Sequence, residues 1–144
     1  MAVAIIAVAN NLAFQGQETT YSTASTTLVF TGTGVILTPK TSGTVKIVLD
    51  ADVSNNTAAD SITFNINYAI GTTLTAAGTA AAGTGVLTTA KTYISPTASA
   101  ETAAHVEYQL TGLTLNTSYT FQPVIEASAG TASFTQTDMW VEEI

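Results

Sequence analysis

Two antiparallel β-sheets packed face to face, an all-β sandwich, is the fold class this sequence predicts. Three observations carry the prediction. Apolar and polar residues alternate with a period of two in several windows. Clusters of Gly, Asn and Ser punctuate those windows about every 8–12 residues, the rhythm of a sandwich or barrel. No window sustains the spacing of an amphipathic helix.

The elements follow in order. "TTLVFTG" and "GVILTPK" are short apolar strands separated by the turn "TGTG". From Thr44, "TVKIVLDAD" places Val45, Ile47, Leu49 and Ala51 on one face and Lys46, Asp50 and Asp52 on the other. "SITFNINYAI" sets Ile62, Phe64, Ile66, Tyr68 and Ile70 inward against Thr63, Asn65 and Asn67. "AAHVEYQL" does the same with Ala104, Val106, Tyr108 and Leu110 inward and His105, Glu107 and Gln109 outward. "SYTFQPVIEA" and "ASFTQTDMWVEEI" are the closing strands. Residues 71–100 break the rhythm: Ala, Gly and Thr dominate, so the first half is expected to be a long flexible loop and Lys91–Ile94 a short strand. The chain is expected to hold an N-terminal arm or first strand over residues 1–27 and one sandwich domain over 28–144.

Composition narrows the function. The 144 residues suffice for one domain with a two-layer core. Only 9% of residues are charged, against about 25% in an average soluble protein. Thr, Ala, Asn and Ser stand in their place, and a surface so poor in charge suits coverage by neighbours. There is no arginine, the only lysines are Lys40, Lys46 and Lys91, and the net charge is −7. Nucleic acid needs several cations for its phosphates, so it is excluded as a partner, and an acidic membrane surface is equally unattractive. Cysteine is absent, which removes disulfides and thiolate metal sites. "MAVAIIAVANN" lacks a positive n-region and is too short to cross a bilayer, so it is expected to remain on the chain as a strand or interfacial arm.

Candidate sites are few. Asp50, Asp52, Ser54 and Asn56 alternate as oxygen donors, with Asp60 to close the shell, like the first half of a calcium loop. The loop glycine and the closing glutamate of an EF-hand are missing, and the stretch begins as a strand, so a solvated strand end is the expected reading and no metal is assigned. His105, the one histidine, lies two residues from Glu107 on a polar face. Without a placed nucleophile it makes no mechanism, and no aromatic cleft for a sugar is evident. No enzyme activity and no cofactor are expected. Met139, Trp140 and Val141, with Val3, Ile5, Ile6 and Val8 of the first segment, are candidate interface residues, because aromatic residues and Met concentrate at interfaces.

In "LTGLTLNTSYTF", Leu110, Leu113 and Leu115 anchor one side of a polar turn, and Tyr119 follows it. A Tyr so placed buries its ring and bonds its hydroxyl to nearby backbone. Locally this resembles the tyrosine corner of fibronectin type III domains, whose early tryptophan has no counterpart here. A longer resemblance covers residues 28–144. A "TP-x-x-SG-x-V" strand start at residues 38–45, an "SNNTAGD"-like loop at 54–60, a "Y-G-T-G"-like strand end at 68–72 and an "L-T-G-L-x-x-G-T-x-Y"-like corner at 110–119 resemble phage virion proteins of the jelly-roll type, related in shape to the tumour-necrosis-factor and C1q head. Asn116 stands where that family usually has a turn glycine.

The resemblance implies a jelly roll that forms homotrimers on the virion surface against a major capsid or other virion protein, as a head decoration. Two alternatives remain open: a tail-fibre or spike tip binding a host receptor or glycan, and a cell-surface filament subunit that donates its first segment as a strand.

Overall fold

The computed structural model describes residues 11–16 and 19–144. Among them there is no helix. Eleven strands make two antiparallel sheets: β1 (Leu12–Gln15), β2 (Thr19–Thr23), β3 (Val29–Phe30), β4 (Val35–Leu37), β5 (Val45–Asn55), β6 (Ser61–Ile70), β7 (Thr84–Gly85), β8 (Lys91–Ile94), β9 (Thr102–Leu110), β10 (Tyr119–Ala127) and β11 (Ala132–Glu143). One sheet runs β1-β11-β5-β9, with β2 continuing β1 along β11; the other runs β3-β10-β6-β7, with β4 beside β3 along β10 and β8 beside β7 along β6. When each pair of short strands is counted as one broken strand, both sheets have four positions. The chain changes sheet at every step except from β6 to β7 and β8, which is the jelly-roll path.

Alternation builds the core as the sequence requires. On β5, Val45, Ile47, Leu49, Ala51 and Val53 are all buried, as are Ile62, Phe64 and Ile66 on β6 and Ala104 and Val106 on β9. Each fully buried large side chain contributes about 1.5–3 kcal/mol. Phe64 joins the layers: its ring lies 5.6 Å from Phe134 of the opposite sheet and stacks at 5.7 Å on Tyr93. The pattern fails at strand ends. Ile70, expected inside, is 73% exposed where β6 leaves the sandwich, and Leu115 lies on the outside of the corner.

The first half of residues 71–100, expected as a long flexible loop, is tied by side chains to the second sheet. The backbone at Thr75 and Ala82 lies against the outer face of the second sheet, and Thr84–Gly85 then enter that sheet as β7. Asn65 donates from Nδ2 to the Leu87 carbonyl and accepts the Leu87 N–H, both at 3.0 Å. Asn67 donates to the Ala82 carbonyl at 3.0 Å. Gln122 accepts the Thr75 N–H at 2.7 Å and donates to the Thr75 carbonyl at 3.0 Å. The three amides stand in for a neighbouring strand and satisfy backbone that would otherwise need water. Asn65 and Asn67 are therefore buried instead of solvated.

Pro123 lies in a central strand, where proline normally deletes a ladder bond. Its carbonyl accepts the Thr31 N–H at 3.1 Å, so its missing donor points toward the β3–β4 side. There the edge is already interrupted between Phe30 and Val35, and the pairing with β6 continues unbroken through Pro123 and Ile66.

Of residues 1–27, expected as an arm or first strand, Leu12–Gln15 and Thr19–Thr23 are strands that close the edge of the first sheet against β11. Val3, Ile5, Ile6 and Val8 lie outside the described residues.

Candidate functional site

The outer face of the first sheet carries most of the residues the sequence singles out, and cross-strand register decides what each of them meets. One row runs Phe14, Trp140, Val48 and Glu107; the next runs Leu12, Glu142, Lys46 and Gln109. The first row begins with an apolar corner. Leu12 is 55% exposed and Phe14 60% exposed, with the partly covered Trp140 beside them. The Phe14 ring folds over Gly16, where any Cβ would collide with it. Val48, on this outer face yet 1% exposed, is covered on a surface that the alternation alone would leave wet.

Met139 and Val141, expected with Trp140 at an interface, are instead fully buried in the sandwich. The cause is a bulge in β11. Up to Gln136 the inward residues are Ala132, Phe134 and Gln136; the register shifts between Gln136 and Asp138, and from there Met139, Val141 and Glu143 point inward. One extra residue reverses the faces of the strand. Trp140 alone of the three remains outward.

A row of charge crosses the middle of the same face. Asp138, Asp50 and His105 stand side by side on β11, β5 and β9. His105 Nδ1 lies 2.5 Å from an Asp50 oxygen. The expected partner, Glu107, instead pairs with Lys46 at 2.9 Å. Residues two apart on a strand are separated by roughly 6.7 Å, while a cross-strand neighbour is about 5 Å away, so the ladder wins over sequence proximity. Both pairs are exposed, and each contributes about 0–1 kcal/mol.

The calcium candidates do not converge. Asp50, Asp52 and Ser54 follow one another along the extended β5, so successive donors are spread instead of curling round a centre. Asn56 Oδ1 accepts the Thr131 N–H at 2.8 Å, and Asp60 Oδ1 accepts the Ser128 hydroxyl at 3.3 Å. Among the described residues, no cluster of three or more His, Asp or Glu side chains could hold a metal ion.

A groove of about 550 Å³ opens between the β7–β8 edge of the second sheet and the β9 edge of the first. Leu87, Thr88, Thr89 and Lys91 line one side, and β9 from His105 to Tyr108 lines the other. No sequence signal marked it, because its walls are 14 residues apart at their nearest in the chain, Lys91 against His105, and each reads locally as an ordinary strand or turn.

Glu143 is the most deeply placed carboxylate among the described residues. The loop from Lys40 to Gly43 wraps it: Oε2 accepts the Lys40 N–H at 2.8 Å, and Oε1 accepts those of Thr41 and Ser42 at 2.6 and 2.7 Å. Burial pushes its pKa up, but the backbone donors of Ser42, Lys40 and Thr41 outweigh it and hold the group at about 2. Gly43 completes the wrap at φ 64°, where a side chain would strike the Leu113 carbonyl. This is an anchor for the carboxyl end of β11, its carboxylate oxygens taken up by the backbone of the Lys40–Gly43 loop.

No family model matches the chain, and no curated protein matches it. Among solved structures it is similar to the CBM22-1 xylan-binding domain of Xyn10C from Paenibacillus barcinonensis, at 13% identity and a TM-score of 0.37, over 92% of this chain and 85% of that one.

Proposed function

We propose that the chain is a structural subunit of a virus particle: a capsid-decorating surface protein that reinforces the shell as a homotrimer of jelly rolls seated on the major capsid protein. The observation that carries the reading is the apolar corner of Leu12, Phe14 and Trp140 on adjacent strands. Aromatic and aliphatic side chains grouped at one sheet edge are what a neighbouring subunit covers. The low charge of the remaining surface supports the same role, and so does the resemblance of residues 28–144 to virion jelly rolls.

The test uses virus heads assembled without the chain. Purified full-length protein is expected to add to them in a fixed ratio and to raise the temperature at which they disrupt. The Phe14→Ser variant is expected to add at least tenfold more weakly while remaining folded. Heads that take up none of the protein would overturn the proposal.

A further inference from the structure

We infer that the free edge of β9 is a strand-acceptor slot, occupied in the assembled state by residues 2–9 of a neighbouring copy. The inference rests on the reading of the chain as an assembly subunit and names how one copy holds the next.

Sheet edges are normally protected by short or interrupted strands. Among the described residues, six of the seven edge strands obey this: β1, β2, β3, β4, β7 and β8 have two to five residues each. The exception is β9. It runs nine residues without proline, and it pairs with β5 in unbroken register from Leu110 to Thr102. Among the described residues, no backbone group from Ala103 to Gln109 has a partner beyond that ladder. The groove lies along this open edge, with Leu87 and Val106 as apolar lining, Tyr108 beside them and Thr88 and Thr89 at the rim. An unpaired backbone edge next to a groove is built for an extended chain: main-chain bonds provide attachment, and alternate side chains fill the groove.

Residues 2–9, "AVAIIAVA", belong with Met1 to the longest run of consecutive apolar residues in the chain, nine in all. The run has no glycine, proline or charge, and its Val and Ile suit a strand. Extended, eight residues span about 27 Å, which matches the nine-residue acceptor. Its own chain joins the sandwich at Leu12, on the edge opposite β9. Leu12, Glu142, Lys46 and Gln109 share a row, so three strand spacings of about 4.8 Å separate the two edges. A donor on one edge and an acceptor on the other give a head-to-tail contact, which closes into a ring when the rotation permits. A trimer is one such ring.

The chain has no cysteine, so single cysteines report the contact cleanly. Full-length Ile5→Cys and Thr89→Cys variants are mixed and oxidised. Disulfide-linked pairs containing one of each are expected, in at least tenfold excess over those formed by either variant alone. In parallel, a chain lacking residues 2–9 is expected to sediment as monomer and to bind a synthetic peptide of residues 2–9 in a one-to-one ratio. No mixed cross-link, or a shortened chain that assembles like the parent, would overturn the inference. So would a double variant, diluted into unmodified protein, that cross-links only within itself. If the shortened chain still decorates heads while the cross-link fails, the slot is wrong and the decorating role stands. Failure of both removes both.

Discussion

The Tyr119 hydroxyl accepts the backbone N–H of Thr114 at 2.9 Å, across the turn that carries the chain from one sheet to the other. The ring is buried against Tyr68, with centroids 6.3 Å apart, so one side chain fixes both the crossover and part of the core. Tyr119→Phe keeps the ring and removes only the hydroxyl. It is expected to cost about 1 kcal/mol, read as a lower urea midpoint with an unchanged slope. An unchanged midpoint would mean that the Leu113 and Phe121 packing alone holds the corner.

Glu143 makes stability depend on acid. Its carboxyl sits near 2 in the folded chain against an ordinary 4.5. The folded state therefore binds its proton less readily than the unfolded state. The stabilisation is complete above about pH 4.5 and is lost as pH falls toward 2. Glu143→Gln is expected to be less stable by about 2 kcal/mol at pH 7. The gap from the parent should close across that acidic window in urea titrations. A constant gap would show that the loop from Lys40 to Gly43 is held by other contacts.

Met139 and Phe14 should separate folding from assembly. Met139→Ala opens a cavity in a fully buried site and is expected to cost about 2–5 kcal/mol. Phe14→Ser should change the urea midpoint little, because the side chain is 60% exposed, while reducing attachment to neighbours. The reverse outcome would remove the apolar corner as a contact surface.

Ala59 and Ser99 adopt left-handed backbone at φ 65° and 59°. Their N–H groups donate to Ser95 and Asn55 carbonyls, bonds that a glycine would keep. A β-carbon in this region costs about 1–2 kcal/mol, and glycine returns about half of that gain in unfolded-state entropy. Ala59→Gly is expected to raise stability by about 0.5–1 kcal/mol, measurable as a higher melting temperature. A fall would mean that the Ala59 methyl makes contacts worth more than the relief.

Asn116, at φ 59°, shows why that turn tolerates a residue other than glycine, since asparagine enters this region more readily than most side chains.

Periodicity alone determined the two-sheet class, the inward sets of β5 and β9, and the corner at Tyr119, because each depends on side chains a few residues apart on one strand or turn. Tertiary structure decided the rest. The amides of Asn65 and Asn67 read as solvent-facing until the backbone at Leu87 and Ala82 comes against them, and the partner of His105 is set by a strand 55 positions away. The bulge in β11 leaves no mark in "TQTDMW", yet it sends Met139 into the core and leaves Trp140 outside. A local pattern fixes which residues alternate; the phase of that alternation, and what covers each face, are set by neighbours distant in the chain.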